Sequence, residues 1–89
     1  MALESGDLDL PANPGVYLFK QKDGRVLYVG KANNLKERVR SYFSRTPDRK
    51  MIPTLVDKSN KIDFIVTQNP AEALVLEREL IRKHKPRYN

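Results

Sequence analysis

Glu77 stands where a charge is costly. From Pro70 onward the apolar residues Ala73, Leu74, Leu76, Leu80 and Ile81 form one arc of a helical wheel at ~100° per residue, and Glu77 sits in the middle of it. The other charges of this segment, Glu72, Arg78, Glu79, Arg82 and Lys83, fall on the opposite side. A carboxylate on an apolar face needs a partner. Two partners suit it: an Arg or Lys in a buried ion pair, or a hard divalent cation that takes oxygen ligands at the floor of a cleft. Tyr17 and Tyr28 are the second feature, phenols set among aliphatic residues in strand-like runs. Such tyrosines either pack or do chemistry. A phenol with its ordinary pKa near ~10 is a weak base at neutral pH, and a nearby cation such as Lys31 would favour its phenolate. Arg38 is the third, placed one helical turn before Tyr42 on the margin of an apolar stripe, where its reach is restricted.

The elements that position these groups follow from pattern. Pro11, Pro14 and Gly15 break the chain after an acidic leader spanning residues 1–13, and a single domain covers 14–89. Gly15 to Lys20 and Arg25 to Gly30 are runs of β-formers joined by Asp23-Gly24, which predicts an antiparallel hairpin. A two-residue loop sets Tyr17 opposite Gly30 and Phe19 opposite Tyr28, all on one face, whereas a three-residue loop would separate the tyrosines. Gly30 leaves the space facing Tyr17 open to a ligand or another backbone. Asn33 or Asn34 caps a helix whose stripe is Leu35, Val39, Tyr42 and Phe43, ending near Ser44. Arg49 to Ser59 reads as a second helix with Pro53 in its first turn. Lys61 to Thr67 alternates as a third strand, with Ile62, Phe64 and Val66 on one side. Asn69-Pro70-Ala71-Glu72 then starts a helix that runs to about Lys85, before Pro86. The fold class is α/β (α+β), a small mixed three-stranded sheet flanked by helices.

Composition limits the chemistry further. The 89 residues contain no Cys and one His, which excludes disulfides, thiolate nucleophiles, cysteine zinc sites and paired imidazoles. The net charge is +6. Beyond the first ten residues seventeen basic side chains face eight acidic ones, a surplus that suits a polyanion, nucleic acid before an anionic membrane. Lys31, Arg38, Arg40, Arg45, Arg49 and Lys50 are interleaved with Tyr42 and Phe43, as nucleic-acid surfaces often are, and Arg45 and Arg49 are the expected phosphate contacts. The tail from Arg82 to Asn89 is basic again, a charge run that also fits a helix end meeting its macrodipole. No apolar run approaches the ~20 residues of a membrane span, and the acidic start is unlike a signal peptide, so the expected location is cytoplasmic.

Taken in order, Gly15-Val16-Tyr17, Tyr28-Val29-Gly30-Lys31, Asn34 to Phe43, Glu72 to Glu77 and Lys85-Pro86-Arg87-Tyr88-Asn89 resemble the GIY-YIG nuclease domain, over nearly the whole chain from Pro14. The chain departs from the family name at Val16 and Val29, both conservative β-branched exchanges. Within that superfamily it is most similar to the UvrC branch. The resemblance implies an endonuclease domain that cuts damaged double-stranded DNA on the 3′ side of a lesion, acting on a UvrB–DNA complex within a longer protein and monomeric when isolated. It also implies that Glu77 binds one Mg²⁺ or Mn²⁺, that Tyr28 lies near the attacking water, and that Tyr17, Lys31, Arg38, Tyr42 and Asn89 complete the site. One misplaced glutamate agrees with one ion, since a two-metal nuclease needs several converging carboxylates. The residues alone leave a second possibility, a non-catalytic nucleic-acid or UvrB-docking module in which Glu77 pairs with Arg38 or Lys31.

Overall fold

A computed structural model describes residues 9–43 and 51–89. The element order is β1 (Gly15–Lys20), β2 (Val26–Ala32), α1 (Leu35–Ser41), α2 (Met51–Lys58), β3 (Lys61–Val66) and α3 (Pro70–His84). Tyr17 faces Gly30 and Phe19 faces Tyr28 across the β1–β2 hairpin, the expected register. The turn that achieves it is different. Lys20 pairs with Val26, and the Gln21 N–H donates to the Arg25 carbonyl at 2.9 Å, which leaves a three-residue loop, Lys22 to Gly24. Gly24 takes φ +91°, a backbone region that glycine enters without strain. Such a loop alone would put the tyrosines on opposite faces. The register shift between Phe19 and Lys20 makes Leu27 an extra residue, so Leu27 and Tyr28 together oppose Phe19 and all three enter one core.

The sheet order is β2-β1-β3, and both pairings are antiparallel. The mixed sheet expected from the sequence is therefore not formed. The connection through α1 and α2 does return β3 parallel to β2, but β1 lies between the two, so no parallel neighbours meet. On one face Tyr17, Phe19, Leu27 and Tyr28 pack with Leu35, Val39 and Tyr42, with Leu55 and Val56 of α2, and with Leu10. The packed unit thus takes in Leu10, upstream of the expected boundary at Pro14. On the other face Val16, Leu18, Val26 and Val29 pack under Ala73, Leu76, Leu80 and Ile81 of α3.

Seven residues make a weak helix by themselves, and α1 depends on its ends. Its first three N–H groups are all satisfied: Leu35 donates to the Asn13 carbonyl, Lys36 to the Pro11 carbonyl and Glu37 to Asn34 Oδ1. It stops at Ser41, earlier than expected. The Ser41 hydroxyl donates to the Arg38 carbonyl, while the Tyr42 and Phe43 N–H groups bond three residues back and tighten the chain out of the α-helix. Residues 44–50 lie outside the described residues, and Arg45, Arg49 and Lys50 with them. In α3 the Asn69 side chain accepts from the Glu72 N–H at 2.8 Å, Pro70 opens the first turn, and Lys85 closes the helix at φ 45° with its N–H on the Ile81 carbonyl.

Candidate active site

Alternation along β1 and β2, with the Leu27 bulge, aims Tyr17, Phe19 and Tyr28 at the face that carries α1. Tyr42, just past α1, completes a cluster of four rings. All six pairs have centroids between 5.0 and 6.5 Å apart, the spacing of edge-on and tilted aromatic contacts. Gly30 makes this possible. A Cβ there would overlap the Tyr17 phenol, so the space that the sequence left open for a ligand is filled by the Tyr17 ring itself.

The polar edge of the cluster is a short network. The Tyr17 and Tyr42 hydroxyls are 2.7 Å apart, Arg38 Nε donates to the Tyr17 hydroxyl at 3.4 Å, and the Arg38 guanidinium lies 5.2 Å from the Tyr42 ring centroid. The one-turn spacing of Arg38 and Tyr42 is what brings the cation over the ring. Burial raises the Tyr17 pKa, and the hydrogen bonds from Tyr42 and Arg38 offset it only in part. Tyr42 is held well above the ordinary tyrosine range, by burial first and then by the hydroxyls of Tyr17 and Tyr28. Arg38 loses hydration, which disfavours its charge, yet its bond to Tyr17 keeps it above the ordinary value and permanently cationic. Lys31 is exposed, and it lines with Arg38 a surface concavity of about 420 Å³ whose wall includes Asn34, Glu37 and Ser41. Those three side chains read from sequence only as parts of a short helix, because nothing local tells which way α1 turns them.

Glu77 is half-buried on the side of α3 that carries Ala73, Leu76, Leu80 and Ile81 onto the sheet. It forms no hydrogen bond or ion pair with any described residue; the ion pairs among them are those of Asp63 with Lys20 and Lys61. Neither Arg38 nor Lys31, the partners expected for it, forms an ion pair with Glu77. A half-buried carboxylate without a counter-charge among the described residues fits the donor chemistry of a hard cation. No group of three or more acidic or imidazole side chains that could hold a metal occurs among the described residues.

Asn89 grips the outer edge of β2. Its Oδ1 accepts from the Val29 N–H and its Nδ2 donates to the Val29 carbonyl, both at 2.8 Å, while the Tyr88 N–H donates to the Leu27 carbonyl. Together the Asn89 side chain and the Tyr88 backbone imitate a paired strand on either side of Tyr28.

Paired Gly-Val-Tyr and Tyr-Val-Gly strands on a three-stranded antiparallel sheet, with an arginine on the following helix and a glutamate on the last, define a GIY-YIG domain. The chain belongs to the UvrC-like GIY-YIG family, whose model matches residues 13–89. It is 55% identical over 85 residues, 94% of this chain, to UvrABC system protein C of Syntrophus aciditrophicus, and 54% identical over its full length to that of Protochlamydia amoebophila. It spans about one seventh of these relatives, 14% and 15% of their lengths. Among solved structures it superposes with a TM-score of 0.87 and 36% identity on the GIY-YIG N-terminal endonuclease domain of UvrC from Thermotoga maritima, covering 98% of this chain and 99% of that one. That domain was crystallised bound to its catalytic divalent cation, magnesium.

Proposed function

We propose that this chain is the metal-dependent endonuclease domain of an excision-repair incision protein, hydrolysing one phosphodiester of damaged double-stranded DNA on the 3′ side of the lesion while UvrB holds that DNA. The observation that carries the reading is the Arg38–Tyr17–Tyr42 network, a permanent cation tied to a buried phenol at the rim of an open, lysine-lined concavity. Arg38 and Lys31 receive the phosphate and neutralise charge that develops on its oxygens. Tyr17 stays protonated, because burial raises its pKa and its hydroxyl is engaged by both Tyr42 and Arg38, so it orients rather than accepts. Tyr28, whose position in the signature the resemblance sets near the attacking water, is the acceptor of the water proton in this reading. Glu77 holds a single Mg²⁺ or Mn²⁺, which when bound polarises the phosphate and stabilises the leaving oxygen. Asn89 and Gly30 position the two tyrosines.

The test is a Mn²⁺ titration of the chain and of Glu77→Gln, followed by incision assays in the full-length protein with UvrB. The substituted chain should stay folded, since an amide costs less than an unpaired carboxylate on that face, and should lose the metal and incision on the 3′ side of the lesion. Unchanged Mn²⁺ affinity in folded Glu77→Gln removes the assignment.

A further inference from the structure

A second basic concavity lies at the far end of the hairpin. Arg25 from the end of the β1–β2 loop, His84 and Lys85 from the end of α3, and Arg87 from the tail line a pocket of about 370 Å³. All four are exposed, and none forms an ion pair with a described residue. A helix C-terminus attracts cations by itself, which accounts for His84 and Lys85. It does not account for Arg25 and Arg87, which come from other segments. Their approach is fixed by backbone: the Lys85 N–H is held by Ile81, and the tail is pinned to β2 through Tyr88 on Leu27 and Asn89 on Val29. Like charges gathered on a rigid frame call for an external anion.

We propose that Arg25, Lys85 and Arg87, with His84 at their side, bind a DNA phosphodiester away from the one that is cut. The inference rests on the nuclease reading above and adds the path of the strand. Arg25 lies just before β2 and precedes Tyr28 by three residues, at most about 10 Å at the β-strand rise, which matches about three base-pair steps along the axis of a duplex at 3.4 Å each. The pocket therefore holds the backbone a few nucleotides from the tyrosine cluster and sets the register in which the duplex lies. It supplies position without sequence preference.

The experiment is a fluorescence titration of a labelled 16-base-pair duplex into three proteins over a salt series: the unsubstituted chain, Arg25→Ala/Arg87→Ala, and the charge-matched Lys58→Ala/Lys61→Ala at the end of α2 and the start of β3. The first double variant should lose about three- to tenfold in affinity at low salt, with a salt dependence shallower by about one unit of slope, and the second should stay within twofold. Equal losses in both variants, or none in the first, overturn the pocket while leaving the nuclease reading in place. Absence of duplex binding by the unsubstituted chain overturns both. Poly-glutamate displacing the duplex at equal charge from the unsubstituted chain but not from the Arg25/Arg87 variant would assign the pocket to an acidic protein partner and overturn it.

Discussion

Tyr17 and Tyr28 carry the same group on adjacent strands, yet their surroundings give them different work. Tyr17 →Phe keeps a ring that touches Phe19, Tyr28 and Tyr42 but removes the hydroxyl that joins Tyr42 to Arg38. Its expected cost is about 1 kcal/mol in a urea unfolding curve, with a moderate loss of incision as Arg38 loses its anchor. Tyr28→Phe should leave stability near normal and lower the incision rate by ~10²–10⁴-fold, the usual loss of a general base. Near-normal incision by both variants would return the two rings to packing alone. The raised pKa values of Tyr17 and Tyr42 also make a stability prediction. Below ~10 both the folded and the unfolded chain keep these protons, and their contribution is complete. Above it the unfolded chain ionises first, so stability falls as pH rises. Unfolding midpoints between pH 8 and 11 should drop more for the natural chain than for Tyr17→Phe/Tyr42→Phe. Gly30→Ala, whose methyl would meet the Tyr17 ring, should cost ~1–3 kcal/mol and break the Tyr17–Tyr42 bond.

At the scale of elements, α1 is the part whose stability is most exposed to a single change. Asn34→Ala removes the cap of a seven-residue helix and should cost ~1 kcal/mol, with incision falling alongside because α1 carries Arg38. Asn69→Ala costs α3 a similar cap but should spare catalysis more, as that helix has fifteen residues and a packed face. Paired unfolding and incision assays of the two variants check this ordering. The caps of both helices, the hairpin register and the apolar arc around Glu77 were legible in the sequence, because each is written in residues within a few positions of one another. The Leu27 bulge was not, since it compensates a loop length that only the pairing partner reveals. Neither was the early stop of α1, which depends on the Ser41 hydroxyl taking a helix carbonyl in place of solvent. The place of Glu77 on its helix was readable. That no described residue pairs with it was not, because that depends on how elements distant in sequence pack.

At the scale of the molecule, the sheet is closed on one side only among the described residues. β3 pairs with β1 alone and exposes Phe64, Ile65 and Val66 by 42–47%, whereas the outer edge of β2 is covered by Tyr88 and Asn89. Asn89→Ala should therefore speed hydrogen exchange at the Val29 amide far more than at the β1–β3 ladder. Sixty residues separate Val29 from Asn89. On the ribosome, at ~5–20 residues per second, the hairpin bearing both tyrosines emerges seconds before the residue that covers its rim. For that interval each nascent chain shows its neighbours on the same message an unpaired strand edge, the template by which chains aggregate. Asn89 is thus also the residue that ends the exposure of this edge during synthesis.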